Sequence, residues 1–140
     1  MASPSIVSPV PTEIKLHKRS ATLELVYDNG DSCVLSAEFL RVHSPSAEVR
    51  GHGKQQEVLQ TGKREVKIIS LETVGNYALK PTFDDGHHSG IYSWDYLKEL
   101  VQNQQMLWQD YLTRLQLAGA SRDQLPPDTR VIKVKPAPSV

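Results

Sequence analysis

The clearest alternation of apolar and polar positions lies in the first quarter of the chain. Residues 22–27 largely alternate between polar and apolar side chains, and residues 32–35 form a second short stretch of the same kind. Between them, residues 28–31 read Asp-Asn-Gly-Asp, and Asn-Gly favours the positive φ angles of a tight hairpin turn. The pattern predicts two antiparallel strands, with a weaker strand before them at residues 14–18.

A short helix is predicted directly after this hairpin. Ser36 is suited to be the N-cap of a helix over residues 37–42, and Glu38 lies near the positively polarised end of that helix. Residues 43–64 are mostly polar, contain several glycines and predict a long loop. We therefore expect the chain to leave the hairpin through a brief helix and then to run without regular structure.

The second half of the sequence predicts two more strands and one long helix. Residues 66–71 and 76–83 suit strands, and Pro81 places the second at an edge or a bulge, because proline cannot donate a ladder hydrogen bond. Residues 93–118 carry apolar side chains at helical steps, and Gly119 follows where a helix C-terminus favours glycine. A helix of about 25 residues would be roughly 37 Å long. Its distal half is therefore expected to project, to bend or to pack against a second subunit.

These elements predict an α+β fold with a small, mainly antiparallel sheet of about four to five strands, one short helix and one long C-terminal helix. The domain is expected to span residues 13–119. Residues 1–12 and 120–140 are rich in proline and predict flexible tails. Within the second tail, residues 131–134 are a candidate for a late strand.

The composition excludes several classes of protein but does not identify a function. The chain has 140 residues with 16 basic and 16 acidic side chains, so its net charge gives no reason to expect nucleic acid or an anionic membrane as a partner. Its single cysteine, Cys33, excludes an intramolecular disulfide and a cysteine-rich zinc site. No apolar run approaches the roughly 18 residues that span a bilayer, and the N-terminus does not read as a signal peptide. A soluble cytoplasmic protein is expected.

The most distinctive segment of the sequence is residues 83–97, where two adjacent histidines follow an acidic turn. An exposed imidazole there would bind a metal if His43 or His52, together with Asp84 or Asp85, supplied further ligands. Short polar residues in turns mostly hydrogen-bond to the backbone, so the simpler interpretation is a structured turn with partly solvated imidazoles. We prefer the turn. The candidate zinc or iron ligands are His87, His88, His43 and His52.

No arrangement typical of a catalytic centre is visible in the sequence. The His-x-Asp or His-x-Glu spacing of mononuclear iron oxygenases is missing, and so is a Walker-type phosphate loop. Ser89 follows His88 directly, but adjacency in sequence says nothing about the geometry of a catalytic dyad. Cys33 suits a small buried hydrophobic position. We therefore predict that the protein is not an enzyme.

Three segments of the sequence, taken in order, resemble a known family. They are residues 39–53 (FLRVHSPSAEVRGHG), residues 74–79 (VGNYAL) and residues 83–97 (FDDGHHSGIYSWDYL). Together they resemble the gamma-butyrobetaine hydroxylase-like N-terminal domain family of small bacterial proteins, with a match over about residues 14–101. The positions that carry the resemblance in the third segment are Asp84, Asp85, Gly86, Gly90, Tyr92 and Trp94.

In the hydroxylases, a domain like this precedes an iron- and 2-oxoglutarate-dependent catalytic barrel, which is absent here. The resemblance therefore implies an accessory domain. It also implies the place of a structural zinc, which three cysteines and one histidine hold in the hydroxylases. His87 matches the histidine, but Ser44, Ser46 and Val49 lie at or near the cysteine positions. Because hydroxyls and a valine cannot replace thiolates, we expect no zinc bound in that manner.

The resemblance also bears on partners. Domains of this kind are found fused to P-loop carriers of iron–sulfur cluster assembly, which implies that a separate copy binds such a carrier or one of its clients. The function expected from the sequence is thus a non-catalytic binding or adaptor domain linked to iron or iron–sulfur metabolism. It would have a protein partner and could form a homo-oligomer through the long helix. The alternative is a zinc- or iron-binding protein that uses the histidines around His87 and His88.

Overall fold

Two three-stranded antiparallel sheets form the β part of the fold in the computed structural model, which describes residues 10–50, 57–124 and 132. The first sheet has the order β1-β2-β3, with β1 at Glu13–His17, β2 at Thr22–Val26 and β3 at Ser32–Ser36. The second has the order β4-β5-β6, with β4 at Ile68–Val74, β5 at Ala78–Phe83 and β6 at Tyr92–Ser93.

The hairpin predicted from the Asn-Gly turn is confirmed. β2 and β3 pair in antiparallel register over their full lengths, and Tyr27 N donates to Asp31 O across the turn (2.9 Å). Gly30 has a φ angle of 90°, a left-handed conformation that glycine adopts without a Cβ clash. Along β2, the alternating side chains of Leu23 and Leu25 are buried. The apolar face of this sheet therefore points into the core.

The α+β class and the antiparallel pairing are confirmed, but the prediction of one sheet of about four to five strands is wrong. The sixth strand, β6, has two residues, which is too short for an alternating pattern to be visible. β6 pairs with β5 at Ala78 and Leu79. The strands form two separate sheets. After β3 the chain enters a helix at Ala37, and β4 then pairs with β5, its neighbour in sequence.

The short helix α1 covers Ala37–Val42, as predicted, and Ser36 caps it by accepting a hydrogen bond from Phe39 N (3.0 Å). The prediction that residues 43–64 form an unbroken loop is wrong, because a second short helix, α2, lies at Ala47–Arg50. A helix of four residues is too short for helical periodicity to appear in the sequence.

The single long helix predicted for residues 93–118 is wrong, since two helices lie there: α3 at Trp94–Gln102 and α4 at Gln104–Leu117. Asn103 separates them with φ −112° and ψ 19°, and its side-chain Nδ2 donates to Glu99 O (2.9 Å). An asparagine that bonds to nearby backbone competes with helical hydrogen bonds, which places the break at this residue. Gly119 is confirmed as the residue after the C-cap, with a φ angle of 64°.

One apolar core joins both sheets to α1 and α3. Its largest buried side chains come from β2, β3, α1, β5, β6 and α3, and they are Leu23, Leu25, Leu35, Leu40, Phe83, Tyr92, Leu97 and Leu100. A smaller cluster of Val42, Tyr111 and Leu115 packs α4 against α1. The chain therefore bends after α3, and α4 returns to the domain. None of the helices in the described part of the chain is long and apolar enough to cross a bilayer.

The residues after α4 also return to the domain. Ser121 O accepts a hydrogen bond from Gly62 N, and Arg122 O accepts one from Arg64 N, both at 2.9 Å. We call residues 121–123 the return segment. This pairing holds the return segment against the stretch that precedes β4.

An ion pair fastens the return segment to α1. The guanidinium of Arg122 donates to both carboxylate oxygens of Glu38, at 2.6 and 2.7 Å, and lies 4.9 Å over the Trp108 ring. Glu38 is only 6% exposed, so its carboxylate depends on this partner. Of the late strand predicted at residues 131–134, only Ile132 is among the described residues.

Candidate functional site

The acidic turn that distinguishes the sequence is held by backbone hydrogen bonds. Gly86 N donates to Phe83 O (3.0 Å), and Phe83 N donates to His87 O (2.9 Å). Gly86 has a φ angle of 92°, which favours glycine. Asp84 Oδ1 accepts from Lys67 N (3.0 Å). The carboxylate of Asp84 therefore ties the turn to the residue before β4.

Asp85 lies at the centre of an ion-pair cluster. Its Oδ2 accepts from Arg41 Nε (2.9 Å) and Lys63 Nζ (2.5 Å), and its Oδ1 accepts from His87 N (3.1 Å). Burial by itself would raise the pKa of Asp85, but these hydrogen bonds and the Arg41 charge lower that pKa to about 2. One carboxylate thus joins α1, the segment before β4 and the turn. The sequence offered no signal for this cluster, since its members are distant along the chain.

The side chain of His87 is buried, and both of its ring nitrogens have polar neighbours. Nε2 lies 2.8 Å from Ser44 Oγ and 3.4 Å from Ser46 Oγ, and Nδ1 lies 3.3 Å from Glu48 Oε2. The carboxylate favours a proton on Nδ1, which leaves Nε2 to accept from the Ser44 hydroxyl. Burial lowers the pKa of His87, and the charge of Arg41 lowers it further. We call Ser44, Ser46, Glu48 and His87 the His87 cluster.

Three further residues of the same segment hold it against the rest of the fold. A Cβ on Gly90 would lie 2.4 Å from Ser44 Oγ, so a larger residue would displace the hydroxyl. Tyr92 OH donates to Leu40 O (2.5 Å), and Trp94 Nε1 donates to a backbone oxygen in the β4–β5 turn (2.7 Å). These side chains therefore position backbone segments of the domain.

The other predicted metal ligands make contacts of their own. His43 Nδ1 lies 2.9 Å from Phe39 O, and the two rings pack with centroids 4.6 Å apart. Burial lowers the pKa of His43. His88 is exposed, with Nδ1 at 3.0 Å from Gly86 O. His52 lies outside the described residues.

A zinc site like that of the hydroxylases does not fit this arrangement. Ser44 and Ser46 direct hydroxyls at His87 Nε2, and Val49 is a buried apolar residue. None of these three side chains can act as a thiolate ligand. Within the described part of the chain, no three His, Cys, Asp or Glu side chains are grouped closely enough to hold a metal. The four-histidine site stays a prediction, because His52 is not among these residues.

Ser44, His87 and Glu48 have the order of a hydrolase triad, with a hydroxyl, an imidazole and a carboxylate in succession. The sequence suggested only Ser89 beside His88, since 43 residues separate Ser44 from His87. Ser44 is 1% exposed, so a substrate carbonyl has no access to its Oγ. The His87 cluster is therefore a packed hydrogen-bond network that links the α1–α2 connection to the turn.

A cleft of about 770 Å³ lies between residues 42–50 and 57–60 on one side and helices α3 and α4 on the other. Two tyrosines brace it, since Tyr96 OH donates to His43 O (2.5 Å) and Tyr111 OH donates to Gln60 O (2.7 Å). The apolar part of its lining includes Val42, Val58, Leu59, Leu100, Met106 and Leu107. This volume is within the range of ligand-binding clefts in proteins.

Charged side chains also line this cleft. Glu57, Glu99 and Asp110 are acidic, and Arg50 and Arg114 are basic. Arg114 Nη1 donates to Glu57 Oε2 (3.2 Å), and Arg50 lies 4.8 Å from the centroid of the Tyr96 ring. The sequence did not point to the cleft, because its walls come from segments that only the fold brings together.

Several solved structures are similar to this chain, and three of them are informative. An NMR solution structure is 54% identical, covers 91% of this chain and 98% of its own, and has a TM-score of 0.74. A second NMR solution structure is 47% identical, covers 96% of this chain and 100% of its own, and also has a TM-score of 0.74. A crystal structure at 1.93 Å, of a protein of unknown function from Acidithiobacillus ferrooxidans, is 34% identical. That protein belongs to the DUF971 family, and the alignment covers 64% of this chain and 90% of its own with a TM-score of 0.54.

No curated protein matches the sequence. The family described as "Gamma-butyrobetaine hydroxylase-like, N-terminal" matches residues 14–98, which include all the positions that carried the resemblance. The resemblance inferred from the three sequence segments is thus confirmed. The chain belongs to the gamma-butyrobetaine hydroxylase-like N-terminal domain family.

Proposed function

We propose that this protein is a non-catalytic binding module that recognises another protein through the cleft that residues 42–50 and 57–60 form with helices α3 and α4. The observation that carries the proposal is the cleft itself, which combines an apolar lining with charged side chains. Such a combination suits a peptide segment, because apolar contacts supply affinity while charges select the partner. Met106 is 62% exposed beside the cleft, so an apolar side chain there is open to a partner.

The non-catalytic part of the proposal is supported by the His87 cluster. This is the arrangement of side chains most similar to a catalytic one, yet Ser44 is sealed from solvent. The charges at Asp85 are likewise satisfied by Arg41 and Lys63 rather than directed at open space. The polar residues that characterise the family segment therefore stabilise the domain and leave binding to the cleft.

The partner class that the family resemblance favours is a P-loop carrier of iron–sulfur cluster assembly, or one of its clients. In this proposal the partner connects the protein to iron or iron–sulfur metabolism, so this chain itself does not have to bind a metal. The support is the fusion of such domains to such carriers, which is an association between proteins and not a contact of this chain. The proposed location is the cytoplasm, with which the free thiol of Cys33 is compatible.

The test compares two substitutions on the same helix. Met106→Gln places a polar side chain at the cleft, whereas Leu117→Gln makes the same kind of change at an 83% exposed position at the end of α4, outside the cleft lining. Binding to the P-loop carrier of the same organism is measured by titration calorimetry. We expect Met106→Gln to weaken binding at least about fivefold, because apolar burial is lost, and Leu117→Gln to leave binding unchanged.

Two results separate the parts of this proposal. If the wild-type protein does not bind the carrier, the carrier is rejected as the partner. Proximity crosslinking in cells, with wild type and both variants, then addresses the cleft. Partners lost with Met106→Gln and kept with Leu117→Gln support the cleft as the binding site. Equal recovery with both variants contradicts it.

A further inference from the structure

The cleft continues into a second, shallower depression of about 420 Å³. Arg50, Tyr96 and Glu99 line both, so the two form one continuous groove along α3 and α4. Asp95 lines the shallower part, and Asp110 lines the deeper part. We refer to the cleft and the depression together as the groove.

We propose that the groove takes a basic segment of the partner protein that carries at least one apolar side chain. This inference rests on the proposed function and adds the chemistry of the occupant. Two observations support this inference: the charged side chains that line the groove, and which of them already have a partner. The other conceivable occupant, a second copy of this chain, is an outcome of the test below.

Most acidic side chains of the groove have no charged partner among the residues that the structure describes. Asp95, Glu99 and Asp110 are exposed, and none of the three forms a side-chain ion pair or hydrogen bond with another described residue. Three carboxylates along one groove produce a negative potential that attracts lysine and arginine side chains.

The basic side chains of the groove are already engaged. Arg114 is paired with Glu57, and Arg50 stacks over Tyr96. An acidic ligand would have to compete with Glu57 for Arg114, and it would also be repelled by Glu99 and Asp110. A basic ligand would find the carboxylates of Glu99 and Asp110 without such a cost, so charge complementarity favours the basic segment.

The apolar requirement comes from the side chains between the carboxylates. Met106 and Leu107 lie on α4, between Glu99 and Asp110 in sequence, and Val58 contributes from the opposite wall. Methionine is unbranched and adapts to differently shaped side chains. A segment that alternates basic and apolar residues would satisfy both kinds of surface.

The experiment measures binding of two fluorescein-labelled heptapeptides by fluorescence anisotropy. One contains lysine and leucine, and the other has glutamate in place of each lysine. We expect the basic peptide to bind at least about tenfold more tightly than the acidic one. Its affinity should fall when the salt concentration rises from about 0.05 M to about 0.3 M, because exposed charges are screened.

Two variants of equal net charge show where the peptide binds. Glu99→Gln with Asp110→Asn neutralises two carboxylates of the groove, whereas Glu13→Gln with Asp28→Asn neutralises two exposed carboxylates of the first sheet and its turn. The groove variant should weaken the basic peptide about three- to tenfold, and the control variant should bind as the wild type does.

Each outcome decides the inference. Equal affinities for the two peptides, or equal weakening by the two variants, overturn the basic segment. If neither peptide binds while partner recovery still depends on Met106, the basic segment is rejected and the proposed function stands. If partner recovery does not depend on Met106, the proposed function itself fails. Analytical ultracentrifugation of the wild type and the groove variant tests the remaining occupant. If the wild type is a dimer and the groove variant is a monomer, the occupant is a second copy of this chain, and the inference is overturned.

Discussion

The composition of the turn segment is explained at the scale of single residues. A buried imidazole requires polar neighbours, and Ser44 and Glu48 supply them to His87. The segment then passes so close to Ser44 that any side chain at position 90 would have to displace the Ser44 hydroxyl. The residues that identify the family in this segment therefore act through packing and hydrogen bonding.

Gly90→Ala tests this close approach. The new Cβ would lie 2.4 Å from Ser44 Oγ, so the hydroxyl or the backbone must move. We expect a loss of about 1–3 kcal/mol in the free energy of unfolding, the usual cost of overpacking a buried site. Urea unfolding followed by far-UV circular dichroism measures the change.

Ser89→Ala is the control, because Ser89 is an exposed neighbour and its hydroxyl makes one long hydrogen bond, of 3.4 Å, to Glu48. Its effect should remain within about 0.5 kcal/mol. Adding Ser44→Ala to Gly90→Ala removes the atom that clashes, so the two effects should not be additive. The close contact between position 90 and Ser44 would be contradicted if Gly90→Ala and Ser89→Ala lowered the free energy of unfolding equally and if the effects of Gly90→Ala and Ser44→Ala were fully additive.

At the scale of secondary-structure elements, the ends of helices and strands depend on local interactions, whereas the contacts between elements depend on distant residues. The boundaries follow short-range hydrogen bonds, such as the Ser36 cap of α1 and the Asn103 side chain that ends α3. The contacts between elements depend on pairs that are distant in sequence. Glu38 and Arg122, which join α1 to the return segment, are 84 residues apart.

Arg122→Ala tests the attachment of the return segment. The substitution leaves the buried Glu38 carboxylate without its bidentate partner. We expect a loss of about 2 kcal/mol in the free energy of unfolding, which is less than for a fully buried pair because Arg122 is partly exposed. Thermal and urea unfolding provide the measurement.

Two comparisons make this prediction specific. Arg64→Ala breaks the exposed ion pair with Asp123 and should cost at most about 1 kcal/mol. Combining Arg122→Ala with Glu38→Gln removes the unpaired charge and should restore part of the stability. The attachment would be unimportant if Arg122→Ala cost no more than Arg64→Ala.

At the scale of the whole molecule, the core and the ionisable groups are coupled. Both sheets, α1 and α3 share one apolar core, so the protonation of a buried group affects the stability of the entire domain. His43 and His87 have lowered pKa values because they are buried. Asp85 has a pKa lowered to about 2, below the ordinary value of 3.8.

Stability should therefore depend on pH in two windows. Histidines in the unfolded chain have a pKa of about 6.5, whereas the pKa values of His43 and His87 are lower in the folded protein. The unfolded state consequently binds more protons below about pH 6.5, and stability falls as the pH drops through that value. A second loss follows between pH 3.8 and about 2, where the Asp85 carboxyl is protonated in the unfolded chain while it is still ionised in the folded protein.

Urea midpoints measured between about pH 8 and pH 5 check the first window. His43→Gln and His87→Gln should each flatten the dependence on pH, and His43→Gln provides the test if His87→Gln does not fold. A slope that survives in both buried-histidine variants would show that other groups are responsible.

The sequence predicted correctly where neighbouring residues decide the outcome. The Asn-Gly turn, the Ser36 cap and the glycine after α4 each act through hydrogen bonds within a few residues. The sequence failed for β6 and α2, which are too short to show a period. It also failed at Asn103, whose backbone angles of φ −112° and ψ 19° separate two helices within one periodic pattern.

By itself, the sequence determined the α+β class, the family and the main strands, because these depend on local patterns and on motifs that can be read in order. Only the tertiary structure decided that His87 meets Ser44 and Glu48, and that Asp85 binds Arg41 and Lys63. It also decided that residues 42–50 and 57–60 enclose a cleft with two helices. These contacts join residues tens of positions apart. Their geometry depends on how the elements pack around the shared core, which no local pattern specifies.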